Sequence, residues 1–356
     1  MEVVAVIMAG GVGSRFWPRS RQKEPKQLLN LFTDQSMIQN TVERLHSIVK
    51  NENIYVVTNK LQKKKIVEQL NGVPEENILV EPFGKNTAAC IGLAAVVVQS
   101  KHEDAVMVVL PADHLINEQD EFKRTLQKAV DYAENSDALV TIGIHPARPD
   151  TGYGYIQIDE NNDEKEELHK VIRFAEKPNL ATAERFLASG DFFWNSGMFI
   201  WKTSVILDEI GNHMLDLRDG LDQIKLAIGK KDFDDILTNV YGQLKSISID
   251  YGIMEKSQIV YLIKGKFDWS DVGSWDAVYH LLEKDTNENV EKGAVYLENS
   301  ERTYVHSDKK FTAVIGVQDL VVINTDDATL ICHRDYAQDV KLVVDYLKMH
   351  KKDELL

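Results

Sequence analysis

A short segment near the amino terminus combines three glycines with five basic side chains, in a chain that is otherwise acidic. The segment runs from Met8 to Gln27, and the whole chain of 356 residues has a formal charge of −15 at pH 7. Because Gly10, Gly11 and Gly13 carry no side chains, backbone N–H groups there can approach an anion closely. An apolar strand followed by such a turn and by cations is typical of a phosphate-binding loop. The segment therefore predicts a site for the phosphate groups of a small ligand; the alternative is a strand-to-helix turn whose charges are solvated.

The spacing of these glycines excludes two common nucleotide-binding motifs. The dinucleotide fingerprint requires a third glycine at the start of a helix, and a P-loop requires Gly-Lys followed by Ser or Thr. Here Gly11 and Gly13 are followed instead by Arg15 and Pro18. The sequence thus favours a phosphate-binding loop of another type.

Two aspartates, Asp113 and Asp271, are candidate metal ligands. Asp113 follows an apolar run in the sequence LPADH, and Asp271 lies in the sequence DWSDVGSW before a predicted helix. Each carboxylate could instead cap the helix that follows it, so both alternatives stay open. Mg²⁺ uses few protein carboxylates and shares its other positions with substrate phosphates, so two aspartates suit it. His114, beside the first aspartate, is interpreted as structural.

Apolar runs of strand length alternate with helix-period segments over the first third of the chain, which predicts an α/β fold. The run from Ala105 to Leu110 is continuously apolar, as in a central parallel strand covered on both faces. We therefore predict an open, mostly parallel Rossmann-like sheet flanked by helices, with ligands at the carboxyl ends of its strands. The glycine loop, Asp113 and the segment Glu81–Thr87 all follow predicted strands. The predicted strands are Val3–Met8, Ile54–Thr58, Ile78–Val80, Ala105–Leu110 and Leu139–Ile144, and the predicted helices are Ser36–Val49, Leu61–Leu70, Thr87–Gln99, Glu121–Ala133 and a long helical region from Ser204 to Tyr241.

A change in composition after Asp285 indicates a second domain. We predict a catalytic domain over residues 1–288 and a small β-rich domain over residues 289–356. Short apolar segments, including Thr303–His306 and Phe311–Gly316, predict either a short β-helix or a compact sandwich. A terminal amphipathic helix with Val340, Val343, Val344 and Leu347 on one face ends the domain. In the first domain, an acidic insert over residues 159–167 is interpreted as the solvated tip of a hairpin.

The composition argues against several classes of protein. Binding to nucleic acid requires surplus Lys and Arg, so the acidic balance argues against a general nucleic-acid-binding protein. The longest apolar run, Ala88–Val98, is too short to span a bilayer, so we expect no membrane association. No basic segment precedes the first strand, so we expect no signal peptide and a cytoplasmic protein. Cys90 and Cys332 lie among apolar neighbours and are interpreted as core thiols.

The amino-terminal segment resembles the signature of the sugar-nucleotide pyrophosphorylases, whose form is roughly GGxGxRxxP followed by PK. The matching residues are Gly10, Gly11, Gly13, Arg15, Pro18, Pro25 and Lys26. The resemblance implies a fold of the nucleotide-diphospho-sugar transferase type. It also implies that the loop, including Ala9 and Ser14, wraps a nucleoside triphosphate while Arg15 and Lys26 hold its phosphates.

Five later motifs resemble elements of the same family and occur in its order along the chain. EKP resembles a motif of the whole family. EPFGKNT, TGYGYI, WNSGMF and SIDY resemble the mannose-1-phosphate guanylyltransferase branch, although Lys85 stands where arginine is commoner. On their residues alone, Asn86 could be a helix cap, Glu176-Lys177 a surface ion pair, and Gly154 and Asn195 parts of turns. The resemblance implies these roles: Pro82, Asn86 and Thr87 against the base; Lys177 on the phosphate of the sugar 1-phosphate; Gly154, Glu176, Asn195 and Asp250 around the sugar; Asp113 and Asp271 on Mg²⁺.

The resemblance implies that GTP and mannose 1-phosphate react to give GDP-mannose and pyrophosphate, with Mg²⁺ as cofactor. The attacking phosphate monoester has a second pKa near 6 and is largely dianionic at neutral pH, so no general base is required. The one-sided apolar helix at the carboxyl terminus predicts a homodimer. The alternatives are a sugar-1-phosphate nucleotidyltransferase for another sugar or for dTTP, and a non-catalytic regulatory homologue that binds sugar nucleotides.

Overall fold

A nine-stranded sheet forms the centre of the protein in the computed structural model, which describes residues 1–164 and 167–356. A four-stranded sheet and a two-stranded sheet lie outside it. The strands, in chain order, are β1 (Glu2–Met8), β2 (Ile54–Asn59), β3 (Ile78–Glu81), β4 (Ala105–Pro111), β5 (Leu115–Ile116), β6 (Leu139–Ile144), β7 (Tyr155–Glu164), β8 (Leu168–Ala175), β9 (Phe192–Lys202), β10 (Val260–Gly265), β11 (Trp269–Ser270), β12 (Val290–Glu298), β13 (Tyr304–Ile315), β14 (Leu320–Asn324) and β15 (Thr329–His333).

The order of strands in the central sheet is β3-β2-β1-β4-β9-β6-β10-β8-β7. Strands β9 and β8 run opposite to the other seven. The predicted open, mostly parallel sheet is therefore confirmed. The adjacent strands β3, β2, β1 and β4 are parallel and form one half of the sheet. Their continuously apolar sequences fit burial on both faces.

Ten helices flank the sheets in the described part of the chain, and most lie where the sequence predicts them. Ser36 caps the first helix, with a capping box that is completed by Gln39. This helix ends earlier than predicted, because the chain continues in tight turns such as Leu45 N–H to Val42 O. The long predicted region is three helices rather than one. The helices are α1 (Met37–Glu43), α2 (Lys63–Gln69), α3 (Asn86–Lys101), α4 (Gln119–Glu134), α5 (Leu180–Ser189), α6 (Thr203–His213), α7 (Leu215–Ala227), α8 (Phe233–Gln243), α9 (Trp275–Leu281) and α10 (Val340–Met349).

The carboxyl-terminal part forms a sheet of β12, β13, β14 and β15 followed by α10. The first three of these strands pair in parallel with short connections, as successive turns of a β-helix do. Two separately predicted strands merge into the single long β13. Of the two predicted architectures, the structure therefore has the short β-helix rather than the sandwich.

The two parts of the chain share one hydrophobic cluster. Phe16, Trp17 and Leu31 from the amino-terminal segment pack with Trp275 of α9 and with Tyr304 and other side chains of the β-helix. The segment that carries the glycine loop is thus anchored to the carboxyl-terminal part by apolar packing.

Two expectations concern surfaces of the molecule. In the described residues, none of the helices is both long and apolar enough to cross a bilayer. The tip predicted within residues 159–167 includes residues 165 and 166, which lie outside the described part of the chain. The strands β7 and β8 on either side pair in antiparallel fashion, as a hairpin requires.

The two cysteines differ in burial. Cys90 is buried, as a core thiol is, whereas Cys332 is only partly buried.

Candidate active site

A cleft of about 540 Å³ opens beyond the carboxyl ends of β1, β3 and β4. Such a position is where open α/β sheets bind their ligands. Eleven residues that the sequence analysis assigned to the site line it together: Gly10, Gly11, Asn86, Thr87, Asp113, Gly154, Glu176, Lys177, Asn195, Asp250 and Asp271.

The glycine loop follows β1 and closes tightly on the segment that contains Lys26. Gly13 has a φ of 62°, and a Cβ there would lie 2.9 Å from the backbone N of Lys26. Only glycine fits this backbone conformation and this close approach without a shift. The carbonyl of Ala9 accepts a hydrogen bond from Gln27 Nε2 at 2.9 Å, and that of Gly11 accepts from the same group at 3.0 Å. Gln27, which the sequence analysis did not single out, therefore fixes the shape of the loop.

Lys26 joins the two candidate metal ligands. Its side chain is buried, and its Nζ lies 2.9 Å from Asp113 Oδ2 and donates to the backbone carbonyl of Asp271 at 2.5 Å. Burial raises the pKa of Asp113, but Lys26 and His114 outweigh this effect, so its pKa lies below the ordinary value. Asp113 is therefore ionised at neutral pH, as a metal ligand must be.

Asp271 is held from the other side by Tyr153, whose hydroxyl donates to Asp271 Oδ1 at 2.8 Å. Burial, and then the charge of Asp271, raise the pKa of Tyr153, so its hydroxyl stays protonated. The ring of Tyr153 packs against Trp269 and Trp194 with centroid distances of 5.3 and 4.9 Å. The packed ring of Tyr153 thus fixes the orientation of the Asp271 carboxylate.

The predicted sugar-binding residues form one connected group in the wall of the cleft. Asn195 Nδ2 donates to Asp250 Oδ1 at 2.7 Å, and the backbone N of Asn195 donates to Gly154 O at 2.8 Å. A Cβ at Gly154 would lie 2.7 Å from Glu176 Oε2, so the absence of a side chain lets this carboxylate approach. Glu176 Oε1 also lies 2.7 Å from Lys177 Nζ. Polar groups of this kind, converging on a partly apolar pocket, suit hydrogen bonding to a sugar.

Asn86 and Thr87 start α3 and line the same cleft. The residue at the cap position is Lys85, so Asn86 is not the helix cap. Thr87 Oγ1 accepts a hydrogen bond from the backbone N of Ile249 at 2.8 Å and so ties the start of α3 to the loop that carries Asp250. Lys85 donates to the carbonyl of Leu244 at 2.6 Å.

Glu81, at the end of β3, lines the cleft but was not among the predicted site residues. It is 7% exposed, and its Oε1 has no hydrogen-bond partner among the described residues. Burial raises its pKa to about 7, although the hydroxyl of Tyr241 opposes the shift. Its Oε2 is 3.6 Å from the position of a Cβ on Gly10. The sequence feature that could have identified Glu81 is its position as a carboxylate that ends an apolar strand and begins the motif EPFGKNT.

Six predicted residues do not line this cleft: Ala9, Gly13, Ser14, Arg15, Lys26 and Pro82. Lys26 lies behind Asp113, and Ala9 is buried within the loop. Arg15 is exposed and lines a second cavity of about 630 Å³, which shares Gly152, Tyr153, Trp269 and Asp271 with the cleft.

The segment between Arg15 and Lys26 is tied to the end of the described chain. Trp17 Nε1 donates to Leu355 O at 3.0 Å, and Arg21 donates to the same carbonyl and pairs with Asp327 at 2.8 Å. We define these contacts as the carboxyl-terminal clasp. They fix the backbone that carries the two loop cations.

Arg21→Met is expected to raise the KM for the nucleoside triphosphate about three- to tenfold, because it loosens the loop that carries the cations. The KM for the sugar phosphate is expected to stay within twofold, since the predicted sugar-binding residues lie elsewhere. Steady-state kinetics with each substrate varied in turn measures both. Asp327→Asn is the matched control because it leaves the bond to Leu355 in place, and equal changes in both KM values would contradict a positioning role.

Comparisons with known proteins agree with this geometry. The nucleotidyl transferase family profile matches residues 4–288, and the profile of the MannoseP isomerase/GMP-like beta-helix domain matches residues 294–347. The chain belongs to the nucleotidyl transferase family. The family that the glycine loop predicted is therefore confirmed, and so is the fold class.

Individual relatives of this nucleotidyl transferase cover nearly all of it. A mannose-1-phosphate guanylyltransferase of Klebsiella pneumoniae is 40% identical over 356 residues, which are 99% of this chain and 75% of that protein. The alginate biosynthesis protein AlgA of Pseudomonas aeruginosa is 38% identical, over 99% of this chain and 73% of that protein. A crystal structure from Thermus thermophilus, described as a mannose-1-phosphate geranyltransferase, is 32% identical with a TM-score of 0.88, over 98% of this chain and 100% of that one.

Proposed function

We propose that this nucleotidyl transferase transfers GMP from GTP to α-D-mannose 1-phosphate, giving GDP-mannose and pyrophosphate. The observation that carries the proposal is the contact of buried Lys26 with both Asp113 and Asp271, which line a cleft that also contains the glycine loop and the sugar-binding group. The mannose-1-phosphate guanylyltransferase of Klebsiella pneumoniae, 40% identical over 99% of this chain, supports the choice of sugar and base.

The donor set of the cleft fits Mg²⁺. Among the described residues, no group of three His, Cys, Asp or Glu side chains is arranged to hold a metal. Mg²⁺ is commonly bound by one or two carboxylates together with substrate phosphates, so Asp113 and Asp271 would hold it. When bound, it would neutralise charge on the reacting phosphates.

The protein's own groups then have positioning and electrostatic tasks. The phosphate of mannose 1-phosphate is dianionic above its second pKa near 6, so no side chain has to remove a proton. Lys177 would orient this phosphate, while Arg15 and Lys26 would offset the charge of the triphosphate. Backbone N–H groups of the glycine loop would hold the triphosphate without a side chain in the way.

Glu81 is the group best suited to select guanine. Guanine offers two neighbouring donors, the N1–H and the 2-amino group, and Glu81 presents an acceptor oxygen that lacks a partner among the described residues in the same cleft. A buried acceptor left unpaired costs about 1–3 kcal/mol, so a base that lacks these donors binds less well.

Glu81→Gln is expected to raise the KM for GTP about tenfold to a hundredfold, because the amide presents one acceptor and an unwanted donor. The carboxylate is needed for binding and its pKa is about 7, so the KM of the parent protein should fall as the pH rises through 7. The KM of Glu81→Gln for GTP should not fall as the pH rises through 7. Glu75→Gln, a change at an exposed position just before the same strand, is the control, and an unchanged preference for GTP in the variant would contradict the assignment.

A panel of substrates tests the proposed function as a whole. Release of pyrophosphate is measured with GTP, dTTP, UTP and ATP, each combined with mannose 1-phosphate or glucose 1-phosphate. The proposal requires that GTP with mannose 1-phosphate has the highest kcat/KM. A better pair would identify another nucleotidyltransferase, and nucleotide binding without turnover would favour the regulatory alternative.

A cytoplasmic location and a homodimer remain predictions. The first is supported by the proposed use of GTP, and the second by exposed apolar side chains on the β-helix and α10, such as Phe311, Ile331 and Met349. Size-exclusion chromatography with light scattering tests the second.

A further inference from the structure

The two candidate metal ligands lie beside the strands of the two-stranded sheet. Asp113 is two residues before β5, and Asp271 directly follows β11. The two strands pair in antiparallel fashion, with Trp269 opposite Ile116. This pairing brings together two aspartates that are distant in the chain. It involves only two residues of each strand, so side-chain contacts decide how firmly the two segments are held.

A side-chain hydrogen bond joins the same two segments. The indole Nε1 of Trp269 donates to His114 Nδ1 at 3.2 Å, and the two rings meet edge to face with 5.3 Å between their centroids. An indole N–H only donates, so Nδ1 accepts and the tautomer of the imidazole is fixed. His114 directly follows Asp113, and Trp269 is two residues before Asp271. The bond thus links the close neighbours of both candidate ligands.

The backbone of His114 is held in turn by Arg44. The guanidinium of Arg44 is buried, and both of its terminal nitrogens donate to the carbonyl of His114, each at 3.3 Å. Arg44 follows α1 directly, and its guanidinium lies over the ring of Phe122, 6.0 Å from the centroid. His114 is therefore a fixed point on one side of the pair, and Trp269 is oriented against it.

The segment that carries Asp271 has an unfavourable backbone conformation. Val272, the next residue, has a φ of 47°, which a β-branched residue rarely adopts. Its side chain is completely buried, and its backbone N donates to Ser270 Oγ at 3.0 Å. Such a conformation persists only where the surrounding structure fixes it. The position of Asp271 therefore depends on contacts outside its own segment, and the bond from Trp269 is one of them.

The contacts of the two aspartates form a closed ring. On one side, Lys26 pairs with Asp113 and donates to the backbone carbonyl of Asp271. On the other side, Tyr153 donates to the Asp271 carboxylate, and its ring packs on that of Trp269, which bonds to the residue after Asp113. Lys26 reaches Asp271 only through its backbone. The carboxylate of Asp271 is therefore oriented from the side of the two aromatic residues.

We propose that Trp269 and His114 are positioning residues for the metal, and that their hydrogen bond sets the separation of Asp113 and Asp271 and thereby the affinity for Mg²⁺. Neither residue has to touch the ion. Mg²⁺ requires nearly ideal octahedral geometry with short distances to its ligands, so a small shift of either carboxylate weakens binding. The inference rests on the proposed function, in which these two aspartates hold Mg²⁺.

Trp269→Phe keeps an aromatic ring beside Tyr153 and removes the indole N–H. The dissociation constant for Mn²⁺, which takes the same oxygen ligands as Mg²⁺, is expected to rise about three- to tenfold. It is measured on protein without nucleotide by electron paramagnetic resonance of the free ion. The Mg²⁺ concentration that gives half the maximal rate should rise by the same factor, while the KM for mannose 1-phosphate stays within twofold.

Trp201→Phe is the matched control for this change. It also removes an indole N–H, but one that is buried in β9, lines neither cavity and has no hydrogen-bond partner in the described part of the chain. Its dissociation constant for Mn²⁺ should stay within twofold of the parent value. A rise equal to that of Trp269→Phe would overturn the inference, because any loss of an indole would then have the same effect.

His114→Asn and His114→Leu distinguish the hydrogen bond from packing. The side-chain oxygen of asparagine can replace Nδ1 as acceptor, whereas leucine fills the space and accepts nothing. The dissociation constant for Mn²⁺ should stay within twofold in the first variant and rise about three- to tenfold in the second. Adding Trp269→Phe to His114→Leu should weaken binding no further, since the bond is already lost. Equal effects of asparagine and leucine would overturn the inference.

The same titration separates this inference from the proposed function. It contains neither GTP nor mannose 1-phosphate, so its result does not depend on which substrates the protein uses. Asp271→Asn is the reference, and it should bind Mn²⁺ at least tenfold more weakly than the parent protein. If Asp271→Asn weakens binding and Trp269→Phe does not, only the inference is overturned. If Asp271→Asn binds as well as the parent, the proposed metal site is wrong and the inference is wrong with it.

Discussion

Asp271→Asn is expected to lower kcat by about a hundredfold to a thousandfold with little change in stability. Asparagine can still accept the hydrogen bond from Tyr153, so the local geometry is kept while the negative charge is lost. The side chain is only partly buried, and the midpoint of thermal unfolding should therefore shift by no more than about 2 °C. Steady-state kinetics at several Mg²⁺ concentrations, together with a melting curve, measures both quantities.

A matched variant separates the role of this carboxylate from a general effect of charge. Asp268→Asn removes an acidic side chain three residues earlier, at an exposed position that lines neither cavity. Its kcat should stay within twofold of the parent value. If Asp271→Asn also keeps a rate within threefold of the parent, Asp271 does not hold the metal and the proposed site is wrong.

Local sequence patterns predicted the half of the central sheet that β1 to β4 form. The strands before Asp113 and before the glycine loop were found from their continuous apolar runs, which differ by no more than one residue at either end from β1 and β4. Their parallel pairing follows from the helices between them, so the edge on which their ends meet could also be predicted.

Contacts between distant parts of the chain were not predictable in this way. The strand β9 enters the sheet between β4 and β6 and runs opposite to both, although it comes later in the chain than either. The site depends on such contacts, since Tyr153 donates to Asp271 and Lys26 pairs with Asp113 across distant parts of the chain. Side-chain types and motifs indicated most of the cleft, but not which partner each group would have.

Glu81 shows what the sequence analysis could not supply. Glu81 stood in a motif that the sequence analysis used, but its buried and unpartnered oxygen is a property of the folded protein, as far as the described residues extend. The information is in burial and pairing rather than in the residue type.

Lys26→Met is expected to lower kcat at least a hundredfold and, unlike Asp271→Asn, to destabilise the protein as well. The buried ammonium pairs with Asp113, so its loss leaves this carboxylate without its cation. Because Asp113 remains partly exposed, the expected loss of unfolding free energy is about 1–3 kcal/mol, less than for a fully buried pair. Urea denaturation and steady-state kinetics measure the two effects.

The contribution of this ion pair to the unfolding free energy depends on pH in a definite direction. The pKa of Asp113 is lowered in the folded protein, so the stability that the pair contributes is present above the unfolded pKa of about 3.9 and is lost as the pH falls through the folded pKa. The unfolding free energies of the parent and of Lys26→Met should therefore differ at pH 7 and converge in acid. A constant difference down to acid pH would mean that the loss comes from packing alone.

The double variant Lys26→Met with Asp113→Asn separates the structural effect of Lys26 from its effect on the reaction. Removing the carboxylate charge removes the unpaired group, so the double variant should regain most of the stability lost in the single one. Its kcat should stay at least a hundredfold below that of the parent protein, because the cation that acts on the triphosphate is still absent and one metal ligand is lost. Recovery of both stability and rate would show that Lys26 serves only to neutralise Asp113, and the assignment of this lysine to the reaction would then be wrong.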